Sequence, residues 1–335
     1  MKKIFVTGSA GFIGFHLSSL LTYLGYEVHG FDALTNYYDV DLKKKRHELL
    51  SVNKSFKYTI GNLEDIDVLE KVIRNFNPDI IIHLAAQAGV RYSIENPRSY
   101  IDSNIIGSFN ILELSKKYEV KHLLMASTSS VYGSNDNMPF KETDKTDTQL
   151  SMYAATKKSN ESMAHAYSNI FGIPITMFRF FTVYGPWGRP DLALFKFVDA
   201  ILDDRPIEIY NNGEMYRDFT YVEDLVKCIQ LLIDKVPNNS YSKKYKNDSL
   251  SDIAPFRIIN IGNAEKVKLL DFINAIEKEL GKEAIKKYLP MQLGDVAATH
   301  ADVTLLKSLT NFVPAYSIKE GIPNFIKWFR NYYNK

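Results

Sequence analysis

With one cysteine in 335 residues, Cys228, the chain can form no internal disulfide and no thiolate cluster. Cys228 sits in an apolar helical stretch and reads as a core thiol. Excess charge is also missing: 41 Lys and Arg against 39 Asp and Glu leave a net charge of +2, which excludes a chain-wide field for nucleic acid or an anionic membrane. The densest basic run, Lys43-Lys44-Lys45-Arg46, lies between Asp39-Val40-Asp41 and Glu48 and reads as a solvated helix face. Met1-Lys2-Lys3 opens as a secretion signal would, yet the apolar residues after it break at Thr7-Gly8. No segment approaches the roughly 20 apolar residues of a membrane span. The seven histidines show no His-x-x-x-His or His/carboxylate spacing on one helix, so no metal site is expected. These absences point to the reducing cytoplasm, with no nucleic-acid and no membrane partner.

What the chain has is apolar material, 45% hydrophobic and 13% aromatic, enough for a large core in one large domain or in a major and a minor lobe. Short β-branched runs alternate with longer amphipathic stretches through the first two-thirds, the pattern of an α/β protein with a Rossmann-type, doubly wound parallel sheet. Strands are predicted at residues 4–6, 28–31, 56–58, 80–82, 123–125 and 175–177, with Leu17, Leu20, Leu21 and Leu24 at helical spacing after the first. The rhythm loosens after Thr182. The expected division is a nucleotide-binding domain over 1–181 and a smaller substrate-binding lobe over 182–335, some of whose segments return to the large domain. Residues 237–252 are polar and read as an exposed loop; 269–272 and 322–329 read as helical.

The first strand runs into Gly8-Ser9-Ala10-Gly11-Phe12-Ile13-Gly14 and then a helix. Glycines at such a turn let the backbone approach a pyrophosphate, which the helix N-terminus stabilises through its free N–H groups. Asp32, ending the second strand, is placed to accept the ribose hydroxyls and to repel a 2′-phosphate, so the expected cofactor is NAD rather than NADP. Further on, Tyr153-Ala154-Ala155-Thr156-Lys157 sets a phenol and an ammonium on one helix face. A nearby cation lowers the phenol's pKa from about 10, which makes the pair a proton-transfer device. Ser127-Thr128-Ser129-Ser130 lies just beyond the fifth strand, where an open α/β sheet holds its ligands.

The Gly-x-x-Gly-x-x-Gly spacing, the Tyr-x-x-x-Lys pair and the hydroxyl cluster together resemble the extended short-chain dehydrogenase/reductase family. That resemblance implies cofactor contacts at Asn62 and Leu63, where the family usually has Asp for Asn62, and at Leu84, Ala85 and Ala86. It implies catalytic roles for Tyr153, Lys157 and Thr128, with Thr128 bonding the sugar oxygen beside the tyrosine. Dehydratases and decarboxylases of the family carry acidic residues where Ser129 and Ser130 stand, so elimination lacks its acid–base pair and epimerisation is expected.

Residues 179–191, Arg-Phe-Phe-Thr-Val-Tyr-Gly-Pro-Trp-Gly-Arg-Pro-Asp, closely resemble the UDP-glucuronate 4-epimerase group within that family. Thr182 and the planar fork of Arg189 suit the sugar's C6 carboxylate; the alternative is Arg189 paired with Asp191 on a surface loop. The same resemblance implies a UDP-sugar substrate, with Tyr210 near uracil, Arg217 on the diphosphate, Gln292 and Asp295 closing the nucleotide site, and a homodimer. Leu293 replaces the proline usual in that loop. Two other readings stand beside it: a 4-epimerase of UDP-N-acetylhexosamine, its uronate or UDP-glucose/galactose, and a non-catalytic NAD-binding sensor.

Overall fold

The structure is a computed structural model that describes residues 2–238, 245 and 247–335. Its centre is a seven-stranded, wholly parallel sheet: β1 (Lys3–Thr7), β2 (Glu27–Asp32), β3 (Phe56–Ile60), β4 (Ile80–His83), β5 (His122–Thr128), β6 (Ile175–Phe180) and β7 (Phe256–Ile261). They lie side by side in the order β7-β6-β5-β4-β1-β2-β3. The six predicted strands all form, each extended by a residue or more. β7 was not predicted, because Arg257 and Asn260 interrupt its apolar run. Both polar side chains are met inside the fold: Arg257 by Asp248 at 3.0 Å, and Asn260 by Tyr132 at 2.7 Å.

Alternation along the strands fills both faces of the sheet. Ile4, Val6, Ile80, Ile82 and Leu124 face a core shared with α1 (Phe12–Tyr23) and the returning helix Val222–Leu232, while Phe5, Ile81 and Leu123 face α3 (Ile66–Phe76) and α4 (Gly107–Lys117). Cys228 is buried in the first of these cores, as its setting predicted, and burial pushes its thiol well up. A separate core gathers residues from Tyr184 to Phe329, including helix Leu269–Leu280 and α6 (Ile318–Tyr333). Among the described residues no helix is long and apolar enough to cross a membrane.

Two expectations are corrected. The basic run lies on α2 (Val40–Ser51), capped by Asp39, whose side chain accepts from the N–H groups of Asp41 and Leu42. Only half of that run is solvated. Lys44 and Lys45 pair with Asp41 and Glu48 at the surface, whereas Lys43 and Arg46 are buried. Arg46 donates to the carbonyls of Ala10 (2.7 Å) and Trp187 (2.7 Å), tying the glycine turn to the segment before Arg189. A four-residue charge run on a helix necessarily points around most of its circumference, and here one side faces in. The segment 237–252, read as exposed, is in part packed: Asp248 and Leu250 are buried, and Asp248 pairs with Arg257. Residues 239–244 and 246 lie outside the described residues.

Candidate active site

The strand order reverses at β1 and β4, and connections there leave the sheet in opposite directions. Such a switch point opens a crevice beyond the carboxyl ends of the strands. A cavity of about 470 Å³ occupies it, lined from the glycine turn at one end to Thr182 and Arg189 at the other. Every cofactor residue expected from the sequence (Gly8, Gly11, Phe12, Ile13, Gly14, Asp32, Asn62, Leu63, Leu84, Ala85, Ala86) lines it, and so do Thr128, Ser129, Ser130, Tyr153, Lys157, Thr182 and Arg189.

The glycine turn has no room for side chains. Gly8 has φ +75°, and a Cβ there would lie 2.8 Å from the Ala85 nitrogen; a Cβ on Gly14 would lie 2.0 Å from the Gly8 carbonyl oxygen. No side chain caps α1 at Gly11, so its first-turn N–H groups have no side-chain acceptor at the cavity wall. The Asp32 carboxylate accepts from the N–H groups of Ala10 (3.0 Å) and Leu34 (2.9 Å), which fixes it between turn and cavity. Below the turn, Thr7 bridges the His83 ring (2.7 Å) and the Ala85 N–H (3.1 Å). These residues fit NAD: a close-approach cradle for a pyrophosphate, and a carboxylate at the ribose end.

Tyr153 and Lys157 project from one face of α5 (Met152–Phe171), which Ser151 caps by accepting from the Ala154 N–H at 3.1 Å. Lys157 is buried and donates to the Ala126 carbonyl at 2.9 Å; burial pulls its ammonium down to about 8. Burial pushes the Tyr153 phenol up, while a hydrogen bond with Thr128 and the charge of Arg189 pull it the other way. Lys157, the cation expected to add to that pull, anchors its head group on the β5 backbone. Thr128 ends β5 and accepts from the Ser130 N–H at 3.2 Å, opening a short turn that presents Ser129 and Ser130 to the cavity. Beneath, Ser127 donates to Glu161 (2.7 Å), whose carboxylate is held by Arg179 through two bonds of 2.9 Å. This buried pair fixes β5, β6 and α5 against one another.

Arg189 pairs with Asp191, as one of its two readings has it, on the wall of the cavity rather than on an open surface loop. It donates to Asp191 through Nε (2.9 Å) and Nη2 (2.6 Å). Tyr210, Arg217, Gln292 and Asp295 gather outside the cavity proper. Arg217 pairs with Asp295 at 2.8 Å, the Tyr210 phenol meets the Gln292 side chain, and Gln292 Oε1 is buried with no partner among the described residues. A Cβ on Gly294 would lie 3.3 Å from Val90, which lines the cavity, so the loop carrying Gln292 and Asp295 abuts it.

Two residues that sequence reasoning missed belong here. The Arg91 guanidinium lies 4.4 Å from the Tyr210 ring centre and acts on the charge of Arg217. Asn104, within a π-helical turn (Ile101–Ile106), holds both the N–H and the carbonyl of Gln87 and donates to Thr156 at 3.0 Å. A buried asparagine on an apolar helix face was the available signal for Asn104. For Arg91 there was none, since only the fold brings it to Tyr210.

Residues 4–246 match the family described as "NAD dependent epimerase/dehydratase family". The chain is 50% identical over 335 residues to a probable UDP-glucuronate 4-epimerase of Rhizobium meliloti (strain 1021), covering 99% of this chain and 98% of that one. It is also 50% identical to protein CapI of Staphylococcus aureus, covering 99% and 100%. Among solved structures, the UDP-glucuronic acid 4-epimerase of Bacillus cereus in complex with UDP-glucuronic acid and NAD superposes with a TM-score of 0.88 at 33% identity, covering 99% of this chain and 100% of that one.

Proposed function

The chain belongs to the NAD-dependent epimerase/dehydratase family, and from that premise we propose that it interconverts UDP-glucuronate and UDP-galacturonate by inversion at C4. One observation carries the choice of a uronate: Arg189 lines the same cavity as Tyr153 and keeps one edge of its guanidinium free of acceptors among the described residues.

NAD, held by the glycine turn and Asp32, would supply a hydride acceptor and donor for C4 of the sugar. Tyr153 as phenolate accepts the proton of the C4 hydroxyl and gives it back to the 4-keto sugar after the ring has turned about its diphosphate linkage. Thr128, which bears on the charge of the phenol, orients that proton. Lys157 holds positive charge beside the reacting centre at neutral pH, and Ser129 and Ser130 supply donors to the turning sugar. Asp32, the glycine turn, Asn62, Leu63 and the 84–86 segment hold the cofactor; Tyr210, Arg217, Gln292 and Asp295 hold the UDP. A 4-keto uronate is a β-keto acid, and loss of CO₂ requires its C5–C6 bond to align with the carbonyl π system. Arg189 and Thr182, gripping the carboxylate, keep that bond out of alignment.

We read 1–181 together with the returning segments Val222–Leu232 and Phe256–Ile261 as the cofactor domain, and the rest of 182–335 as the UDP-sugar lobe, in a cytoplasmic homodimer. The test is incubation of the purified protein with UDP-glucuronate and NAD, followed by chromatography, with UDP-glucose and UDP-N-acetylglucosamine assayed beside it. UDP-galacturonate as the one new sugar nucleotide, with no net consumption of NAD, is expected. Turnover of the neutral sugars alone would overturn the uronate reading.

A further inference from the structure

A guanidinium has five N–H donors, and which of them meet a ligand depends on what holds the others. Asp191 occupies the side edge of Arg189, taking Nε and one hydrogen of Nη2. What remains is the end edge: both hydrogens of Nη1, which has no partner among the described residues, and the second of Nη2. That edge offers two parallel N–H groups, the geometry that receives a carboxylate bidentately.

Asp191 is itself fixed. The Tyr37 phenol, from the loop after β2, donates to Asp191 Oδ2 at 3.3 Å. Tyr37 packs on Tyr92 with ring centres 4.7 Å apart, and its hydroxyl fills the space beside Gly89, where a Cβ would come within 2.7 Å. Burial pushes the Tyr37 phenol far up, so it is a donor at every working pH. Burial alone would push the Asp191 carboxyl up, but Arg189 holds it below the usual range, so it is an acceptor throughout. The chain Tyr37–Asp191–Arg189 thus joins two loops, one after β2 and one beyond β6, and the packing of Tyr37 on Tyr92 ties it to a third, after β4.

Resting on the uronate reading above, we propose that Asp191, oriented by Tyr37, is the positioning residue that sets uronate selectivity by presenting the end edge of Arg189 to the sugar's C6 carboxylate. A neutral 6-hydroxymethyl sugar leaves that edge underpaired in a half-buried site, which selects against it. With the edge held fixed the carboxylate cannot swing. When the edge is loose, the C5–C6 bond of the 4-keto intermediate can align and break. Its electron pair then passes into the C4 carbonyl as an enolate, C5 takes a proton from water, and CO₂ leaves.

The variants Asp191→Asn and Tyr37→Phe separate this role from a general one. For D191N the KM for UDP-glucuronate should rise about tenfold or more, the size of one charge-assisted hydrogen bond lost. The fraction of decarboxylated product, a UDP-4-keto-pentose, should rise with it, while inhibition by UDP, which carries no carboxylate, stays at the level of the unaltered enzyme. Asp191→Glu, keeping the charge, should recover part of the loss, and Y37F should move KM and product ratio the same way by less. Should D191N not fold, Y37F removes one buried oxygen and reads the same two quantities. Unchanged KM and product ratio in both variants, or UDP inhibition weakening in step with KM, overturns the role of Asp191. Failure of the unaltered enzyme to turn over UDP-glucuronate would instead overturn the uronate reading, and this inference with it.

Discussion

A phenol becomes a base only where its anion is favoured, and around Tyr153 burial works against that. Thr128 and Arg189 oppose the burial from two sides, so the residue proposed to hold the substrate's carboxylate also bears on the proton-transfer group. Tyr153→Phe keeps the ring, including its edge-on contact with Tyr100 at 6.1 Å, and removes only the proton carrier. Epimerase turnover should fall by about 10²–10⁴-fold, the usual share of a positioned acid–base group, with UDP binding measured by calorimetry unchanged. Turnover within tenfold of the unaltered enzyme would take Tyr153 out of the reaction. The Tyr/Lys pair was legible in the sequence because i and i+4 share a helix face whatever the fold. What Lys157 does with its ammonium was not, since the Ala126 carbonyl that receives it lies 31 residues away in sequence. Arg91 was illegible for the same reason.

At the scale of elements, the glycine turn, the six predicted strands and the catalytic helix carry local signals, and each formed where its signal lay. The failures are elements whose polar residues find partners only in the folded chain: β7 with Arg257 and Asn260, and α2 with Lys43 and Arg46 turned inward. The opposite mismatch marks α4 and α5. Their outer face exposes Phe109 at 42%, Ile170 at 67% and Phe171 at 44%, beside Ile106 on the preceding turn. Tyr167 joins the patch, its ring 6.4 Å from Phe109 and 5.3 Å from Phe171. Apolar side chains on two adjacent helices form the kind of face a second copy covers about a twofold axis. Light scattering should give twice the chain mass for the unaltered protein and the single-chain mass for Phe109→Asp combined with Ile170→Asp. A single-chain mass for both would leave this face without a partner of its own kind.

The whole molecule is also stitched by buried imidazoles, and they set its response to acid. His83 bridges Thr7 of β1 and Ser108 of α4; His122 joins the Ile233 carbonyl to Thr176 of β6; His16 reaches the Pro186 carbonyl. Burial lowers all three, His83 to about 3 and the others to about 4, and lowers His29 to about 4 as well. Unfolded, each would take its proton near 6.5. Between pH 6.5 and 4 the unfolded chain therefore binds more protons at these sites, and stability falls as pH falls. Two buried carboxyls act in the other direction. Burial raises Glu142 to about 7 and Asp218 to about 6, so the folded chain keeps protons there that the unfolded chain releases, and their contribution grows as pH falls toward 4.5. Burial lowers His47 as well, and five imidazoles against these two buried carboxyls leave the acid-destabilising effect ahead. The melting temperature should therefore drop from pH 6.5 to 4.5, and His122→Asn, whose amide carries no titrating proton, should flatten that slope while costing some stability at pH 7. An equal slope in the variant would mean that His122 is charged in the folded chain, or that the carboxyls govern the acid limb.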